Sequence, residues 1–276
     1  MTEILLDPFL EFDFLRQALL ACVLLSFAAI PLGLFISYRR LSLTGDSLSH
    51  AILPGIALGF WFYGLSIPAM TIGGFIAGFI IVLISTWTSK VTLLKEDSTL
   101  AVTYLLSLAL GVFLVSLKGS PLDLFHFLFG NILSIDSENL LYLGFATLFI
   151  LIILFIIYEP LKVLTVDFEF ARFLKVRTTL VHILFMTLVV LNLVISFRLL
   201  GTLLSVGELI IPAITARLFF RKFTSQVLGG VIISGLSCLI GLLLSFHLNW
   251  PSGPTLILCM GMFFILGLFR RWIREG

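Results

Sequence analysis

Apolar residues in this chain run together in long uncharged stretches, instead of alternating or falling on a single stripe. The stretches extend from Gln17 to Tyr38, Ser47 to Ser89, Thr99 to Leu117, Asn139 to Tyr158, Thr178 to Phe197 and Phe223 to Phe269. A bilayer span needs about 20 such residues. Lipid cannot satisfy free backbone groups, so unbroken runs predict helices, whereas membrane strands would alternate. Two of the runs are double length, and each is punctuated at its middle: Gly64 to Pro68 divides 47–89, and NWPSGP, Asn249 to Pro254, divides 223–269. Glycine and proline clusters of this kind mark turns between helices. The pattern therefore predicts nine helices, over 16–38, 47–64, 67–89, 99–117, 139–158, 178–197, 199–219, 225–247 and 254–270. The segments 47–64 and 199–219 are short and carry polar residues, so either is a candidate for a broken or re-entrant helix. The fold expected is all-α, a polytopic transmembrane bundle of 8–9 spans forming one domain over 1–276. The apolar stretch Leu122–Leu133 is too short to span and reads as an outer re-entrant or interfacial helix.

Charge placement sets an orientation. With the N-terminus outside, the cytoplasmic segments collect Arg39, Arg40, Lys90, Lys95, Lys162, Arg172, Lys175 and Arg177, then Arg217, Arg221, Lys222, Arg270, Arg271 and Arg274. Only Arg16, Lys118 and Arg198 fall elsewhere among 17 basic residues, as the positive-inside rule requires. An even number of spans would spoil this partition. The C-terminus is then cytoplasmic.

Composition agrees: 60% of residues are hydrophobic and 12% charged, about half the charge a soluble domain uses. Glu3, Asp7, Glu11 and Asp13 replace the basic region that a cleaved signal peptide would carry. Cys22, Cys238 and Cys259 all lie in apolar runs without CxxC pairing, which favours packing over disulfide or metal chemistry. Phenylalanines and tryptophans read as packing and lipid-facing residues.

Ionisable residues at membrane depth carry the chemistry. In GDSLSHAILPG, Asp46 and His50 are four apart and share one helix face. They offer one oxygen and one nitrogen, ligands that suit manganese or zinc. Pro54 and Gly55 loosen the helix just beyond and expose carbonyls. Against this stands a capping role for Asp46 after Gly45, with Ser49 at the third helical position and His50 a hydrogen-bonded interior residue. Asp123 and His126, an i, i+3 pair, are either an outer acceptance site for metal or a cap and an interfacial histidine. Glu208, in a helix that also holds Pro212, either lines a pathway or holds a proton, or else pairs with Arg217 or another basic residue near the cytoplasmic end. His182 and His247 are isolated near helix ends and read as packing or interface residues.

In the cytoplasmic segment VDFEFARFLKV, Asp167 is a candidate cap. Phe170, Phe173 and Leu174 share a face opposite the charges. This short amphipathic helix suits docking in a partner's groove or lying on the membrane surface. No lysine is followed by Ser or Thr, so a GxxxxGK[ST] phosphate loop is absent. If ATP drives the protein, another chain hydrolyses it.

Four ordered blocks, RRLSLTGDSLSHAILPGIALGF (39–60), DLFHFLFGNIL (123–133), VDFEFARFLKV (166–176) and LLSVGELIIPAITARLF (203–219), with PSGPTLIL (251–258), resemble the ABC-3 family of metal importer permeases. The family is similar in architecture to vitamin B12 importer permeases. The resemblance implies a transport permease with no hydrolytic activity of its own and no permanently bound cofactor. Its substrate would be a divalent transition metal: manganese or zinc, with iron a third candidate. It implies three partners: a cytoplasmic ABC ATPase dimer, an extracytoplasmic metal-binding protein, and a second copy of the chain or a paralogous permease. The setting would be the bacterial plasma membrane, with lipid but no nucleic acid as a partner. By the same resemblance Asp46 and His50 match the GD-x3-H motif of the metal pathway. Asp167, Glu169, Phe170, Ala171, Arg172, Phe173 and Leu174 match the coupling helix that inserts into the ATPase. Glu208 departs from the family pattern, which usually shows an apolar residue there.

Two rivals remain from the residues. A secondary transporter would use Asp46 and Glu208 as coupling carboxylates, but it predicts an internal repeat that the sequence lacks and leaves the 166–176 helix without a partner. An intramembrane hydrolase would want an HExxH or GxSxG pattern, and neither occurs.

Overall fold

The computed structural model describes residues 8–9, 11–64, 66–92, 94, 96–118 and 135–275. The described residues form helices and connecting turns, with no strand among them. In chain order the helices are α1 (Asp13–Tyr38), α2 (Thr44–Ala51), α3 (Leu53–Tyr63), α4 (Ile67–Val91), α5 (Glu96–Lys118), α6 (Ser137–Ile156), α7 (Tyr158–Val166), α8 (Phe168–Phe173), α9 (Thr178–Phe219), α10 (Phe223–Leu248) and α11 (Ser252–Glu275). Among the described residues, eight segments are long and apolar enough to cross a membrane: α1, α4, α5, α6, α10, α11 and the two arms of α9, Thr178–Phe197 and Leu199–Phe219. The chain is a multi-pass membrane protein.

One expected element differs in detail. The helix expected at 47–64 is two short helices, α2 and α3, meeting at Ile52. Pro54 is the cause, because it has no N–H to give the carbonyl four residues back and its ring crowds that carbonyl. Ile52 keeps right-handed helical dihedrals (φ −73°, ψ −23°), so the path bends there without turning back. The helices expected at 178–197 and 199–219 are the two arms of α9, Thr178–Phe197 and Leu199–Phe219, with a non-helical kink at Gly201. There φ is 78° and ψ 170°, a conformation open to glycine without a Cβ penalty.

The described residues pack as two compact units. One draws on Met1–Ser37, Phe129–Phe149 and Leu199–Gly276, the other on Tyr38–Leu128 and Ile150–Arg198. In the first, α1 meets the C-terminal arm of α9 so closely that a Cβ on Gly33 would lie 1.8 Å from the Leu209 carbonyl oxygen. Ile30, Leu34 and Ala213 form a buried core beside it, covered by Phe223, Val227 and Val231 of α10. In the second unit, α3 and α4 form a hairpin about Gly64, which takes a φ of 65°. Small residues four apart let the two backbones touch: a Cβ on Gly55 would stand 2.0 Å from the Gly73 oxygen, and one on Gly59 2.6 Å from the Ala69 oxygen. Helix pairs in lipid gain by this route, because apolar burial alone does not favour helix contact over lipid contact. Ser85 Oγ and Thr99 Oγ1, 3.0 Å apart, add a buried polar tie between α4 and α5.

Candidate functional site

Helix α2 has eight residues, and six of them are buried: Thr44, Gly45, Ser47, Leu48, Ser49 and Ala51. The other two are Asp46 and His50, with side chains 61% and 42% exposed. The Asp46 Oδ1 and His50 Nε2 atoms are 3.7 Å apart. The helix thus spends its apolar and small residues on packing and turns only its carboxylate and its imidazole outward. The His50 ring also lies near Tyr104 of α5, stacked at 6.3 Å between centroids.

Asp46 is not the cap of this helix. Leu43 occupies that position without a side-chain bond, and Asp46 lies in the first turn, where a negative charge suits the helix dipole. Ser49 Oγ donates to the Asp46 backbone carbonyl at 2.6 Å, which leaves the carboxylate to face outward.

The proline break shapes the backbone behind the pair. Pro54 cannot donate to the His50 carbonyl, which accepts from the Ile52 amide instead. The Gly55 amide goes to Ile52, 3.2 Å away. The Ala51 carbonyl is then met by Ser107 Oγ of α5 at 2.8 Å. Tyr104 and Ser107 are the contributions to this site that sequence reading missed. They share one face of α5, three apart, but nothing in their spacing says that this face meets α2.

Asp123 and His126, and the segment 122–133 that holds them, lie outside the described residues. His247 is exposed near the end of α10, its Nδ1 2.9 Å from the Leu243 carbonyl in its own helix, and His182 is buried.

Glu208 is 1% exposed and accepts from Ser234 Oγ of α10 at 3.2 Å. Arg217 is nine residues on, about 13 Å by helical rise, and donates to Ser37 Oγ. Glu208 is therefore met by Ser234, not by the ion pair that the sequence suggested as its structural alternative. Cys22 and Cys238 are fully buried beside it.

The 166–176 segment holds the six-residue α8. The Asp167 side chain caps it, accepting from the amides of Glu169 at 2.8 Å and Phe170 at 3.1 Å. At the other end Lys175 takes a left-handed φ of 57°, and the Val176 amide reaches back to the Ala171 carbonyl at 3.0 Å. This six-to-one closure is the usual stop for a helix. Ala171 is buried, while Phe173 is 83% and Phe170 51% exposed, with Leu174 also exposed. Arg172 and Glu169 pair at 3.6 Å on the polar side. A helix so short, closed at both ends, presents a rigid apolar face that its own chain leaves uncovered.

Comparison with known proteins agrees with this architecture. The chain is 32% identical over 264 residues to the manganese import system permease protein ScaB of Streptococcus parasanguinis, covering 96% of this chain and 93% of that protein. It is 33% identical over 265 residues to the high-affinity zinc uptake system membrane protein ZnuB of Haemophilus influenzae, covering 94% and 98%. The solved structure of PsaBC from Streptococcus pneumoniae in complex with Fab superposes with a TM-score of 0.82 at 30% identity, covering 97% and 95%. The ABC 3 transport family matches residues 11–271, and the chain belongs to that family.

Proposed function

We propose that this chain is the membrane-spanning permease subunit of an ATP-driven importer that carries a divalent transition metal, manganese, zinc or iron, into the cytoplasm. The observation that carries the proposal is the Asp46–His50 pair, the only outward-facing side chains of an otherwise buried helix. In a chain of this family, a carboxylate and an imidazole 3.7 Å apart supply hard and borderline donors to a passing cation. Two side chains make a sparse site, and sparse sites release their ion, as transport requires. A second copy of the chain, or a paralogous permease, would bring further ligands if its own pair faced the same path.

Energy would enter through α8. Its exposed Phe170, Phe173 and Leu174 would seat in a groove of a cytoplasmic ABC ATPase dimer, so that nucleotide-driven motion of the ATPase reaches the helices. An extracytoplasmic binding protein would deliver the metal, and the assembly would lie in the plasma membrane with the N-terminus outside. Family membership leaves the gradient-coupled alternative without support. Relatives named for manganese, zinc and chelated iron make all three metals candidates.

The test is metal accumulation in cells expressing the chain with its ATPase and binding protein, comparing manganese, zinc and iron. Uptake of one metal, lost in Asp46→Ala and in His50→Ala, is expected. Uptake surviving both changes would return the pair to a packing role. No uptake of any metal by an assembled complex would refute the substrate class.

A further inference from the structure

A second group of donors lies within the unit that holds α1, the C-terminal arm of α9 and α10. Cys22 of α1, Glu208 of α9 and Cys238 of α10 each bring one ligand atom to the same point, all within 4.8 Å of one another. The two cysteines are fully buried and Glu208 is 1% exposed. Ser234, one turn before Cys238, donates to Glu208 Oε1 at 3.2 Å and so fixes how the carboxyl is presented.

Packing alone does not ask for this arrangement. Apolar side chains of similar volume would fill the space without the cost of burying a carboxyl group, and replacement of buried polar clusters by such residues is often neutral or stabilising. Buried ionisable groups at membrane depth point to a function, and buried charges occur paired or bound to metal. Here they meet as three potential ligands from three separate helices.

We propose that Cys22, Glu208 and Cys238 form a binding site for a thiophilic divalent cation such as zinc or cadmium, distinct from the Asp46–His50 pair. Two sulfurs and one carboxylate oxygen suit zinc-like ions and suit manganese poorly, since manganese prefers oxygen donors. Three protein ligands leave one tetrahedral position for water or another exchangeable donor, the arrangement of open zinc sites. Thiols bind metal as thiolates, so occupancy releases protons and weakens as pH falls. An ion held here would tie α1, α9 and α10 together at one point, so occupancy would stiffen this unit. Ser234 acts as a positioning residue through Glu208.

The test uses the full chain in detergent, titrated with cadmium and followed by the near-ultraviolet thiolate-to-cadmium charge-transfer band. The band should saturate at one cadmium per chain. It should persist in the Asp46→Ala/His50→Ala double variant and in Cys259→Ala, and disappear in Cys22→Ala and in Cys238→Ala. Ser234→Ala should weaken binding about tenfold or more, as loss of a ligand-orienting hydrogen bond does. Absence of a band in the wild-type chain, its survival in Cys22→Ala or Cys238→Ala, or its loss in Cys259→Ala would overturn the assigned donor set. Because unfolding of a cysteine variant would also remove the band, the cadmium NMR shift of the loaded wild type provides a second reading. The shift should lie between those of all-sulfur and all-oxygen sites; an all-oxygen shift would overturn the proposal. Cadmium retained without the band, and released in the Asp46→Ala/His50→Ala variant, would place the ion at the transport pair and refute a second site.

Discussion

Ser107 donates its hydroxyl to the backbone carbonyl of Ala51, 2.8 Å away across the packing of α5 on α2. The bond answers a need made by Pro54, because the amide that would have met this carbonyl in a continuous helix, that of Gly55, bonds Ile52 instead. Ser107→Ala leaves a buried carbonyl without its partner, a loss of about 1–3 kcal/mol. Thermal melting in detergent should show a lower midpoint for Ser107→Ala and a smaller change for Ser107→Thr, which keeps the hydroxyl. Equal melting of Ser107→Ala and wild type would mean that the bond contributes nothing.

Glycine substitutions should separate sharply by position. Gly33→Ala puts a Cβ 1.8 Å from the Leu209 oxygen, and Gly55→Ala puts one 2.0 Å from the Gly73 oxygen. Backbone cannot yield as a flexible side chain does, so each should cost about 3 kcal/mol. Gly144→Ala and Gly261→Ala meet nothing within 4 Å and gain helix propensity, so they should melt at or slightly above wild type. The same melting series checks both halves of the statement.

Docking through α8 should depend on its apolar face and its cap separately. Phe173→Asp removes an 83%-exposed side chain, so ATPase co-purification should fall sharply while the permease's own melting stays unchanged. Asp167→Ala removes the acceptor for two amides and should cost α8 about 1 kcal/mol, with partial loss of co-purification. Asp167→Asn, still a capping residue, should restore it. Undiminished co-purification of Phe173→Asp would place the ATPase contact elsewhere.

Topology decides whether the α2–α3 path crosses the membrane. Eight long spans alone would put both termini on one side, and a ninth crossing through the bend at Ile52 puts them on opposite sides. Single-cysteine labelling near each end, in a cysteine-free background, should find the N-terminal site reached only from outside and the C-terminal site only from the cytoplasm. Both sites on one side would remove α2–α3 from the count of crossings.

Much of this was legible in the residues, because it depends on local periodicity. Long apolar runs predicted spans, since neither charge nor unpaired backbone is tolerated in hydrocarbon. Asp46 and His50 were bound to share a face once they lay on one helix, four apart. Asp167 capping α8 is likewise a short-range effect, settled within three residues. Even the break of α2 from α3 was signalled, because Pro54 acts on the carbonyl just behind it.

What lay beyond the sequence was which faces meet. Asp46 had two readings, cap or outward donor, and local sequence allowed both. The start of α2 at Thr44 and the burial of its six other residues decided that Asp46 faces out beside His50. Cys22, Glu208 and Cys238 carried no spacing signal at all, since each stands on a different helix in a run of apolar neighbours. They meet because close backbone approaches, such as Gly33 on Leu209, set where α1, α9 and α10 pack. Hydrophobicity predicts that a helix is buried but is nearly blind to its rotation and partner, because Leu, Ile and Phe fill every face alike; steric fit at small residues makes that choice.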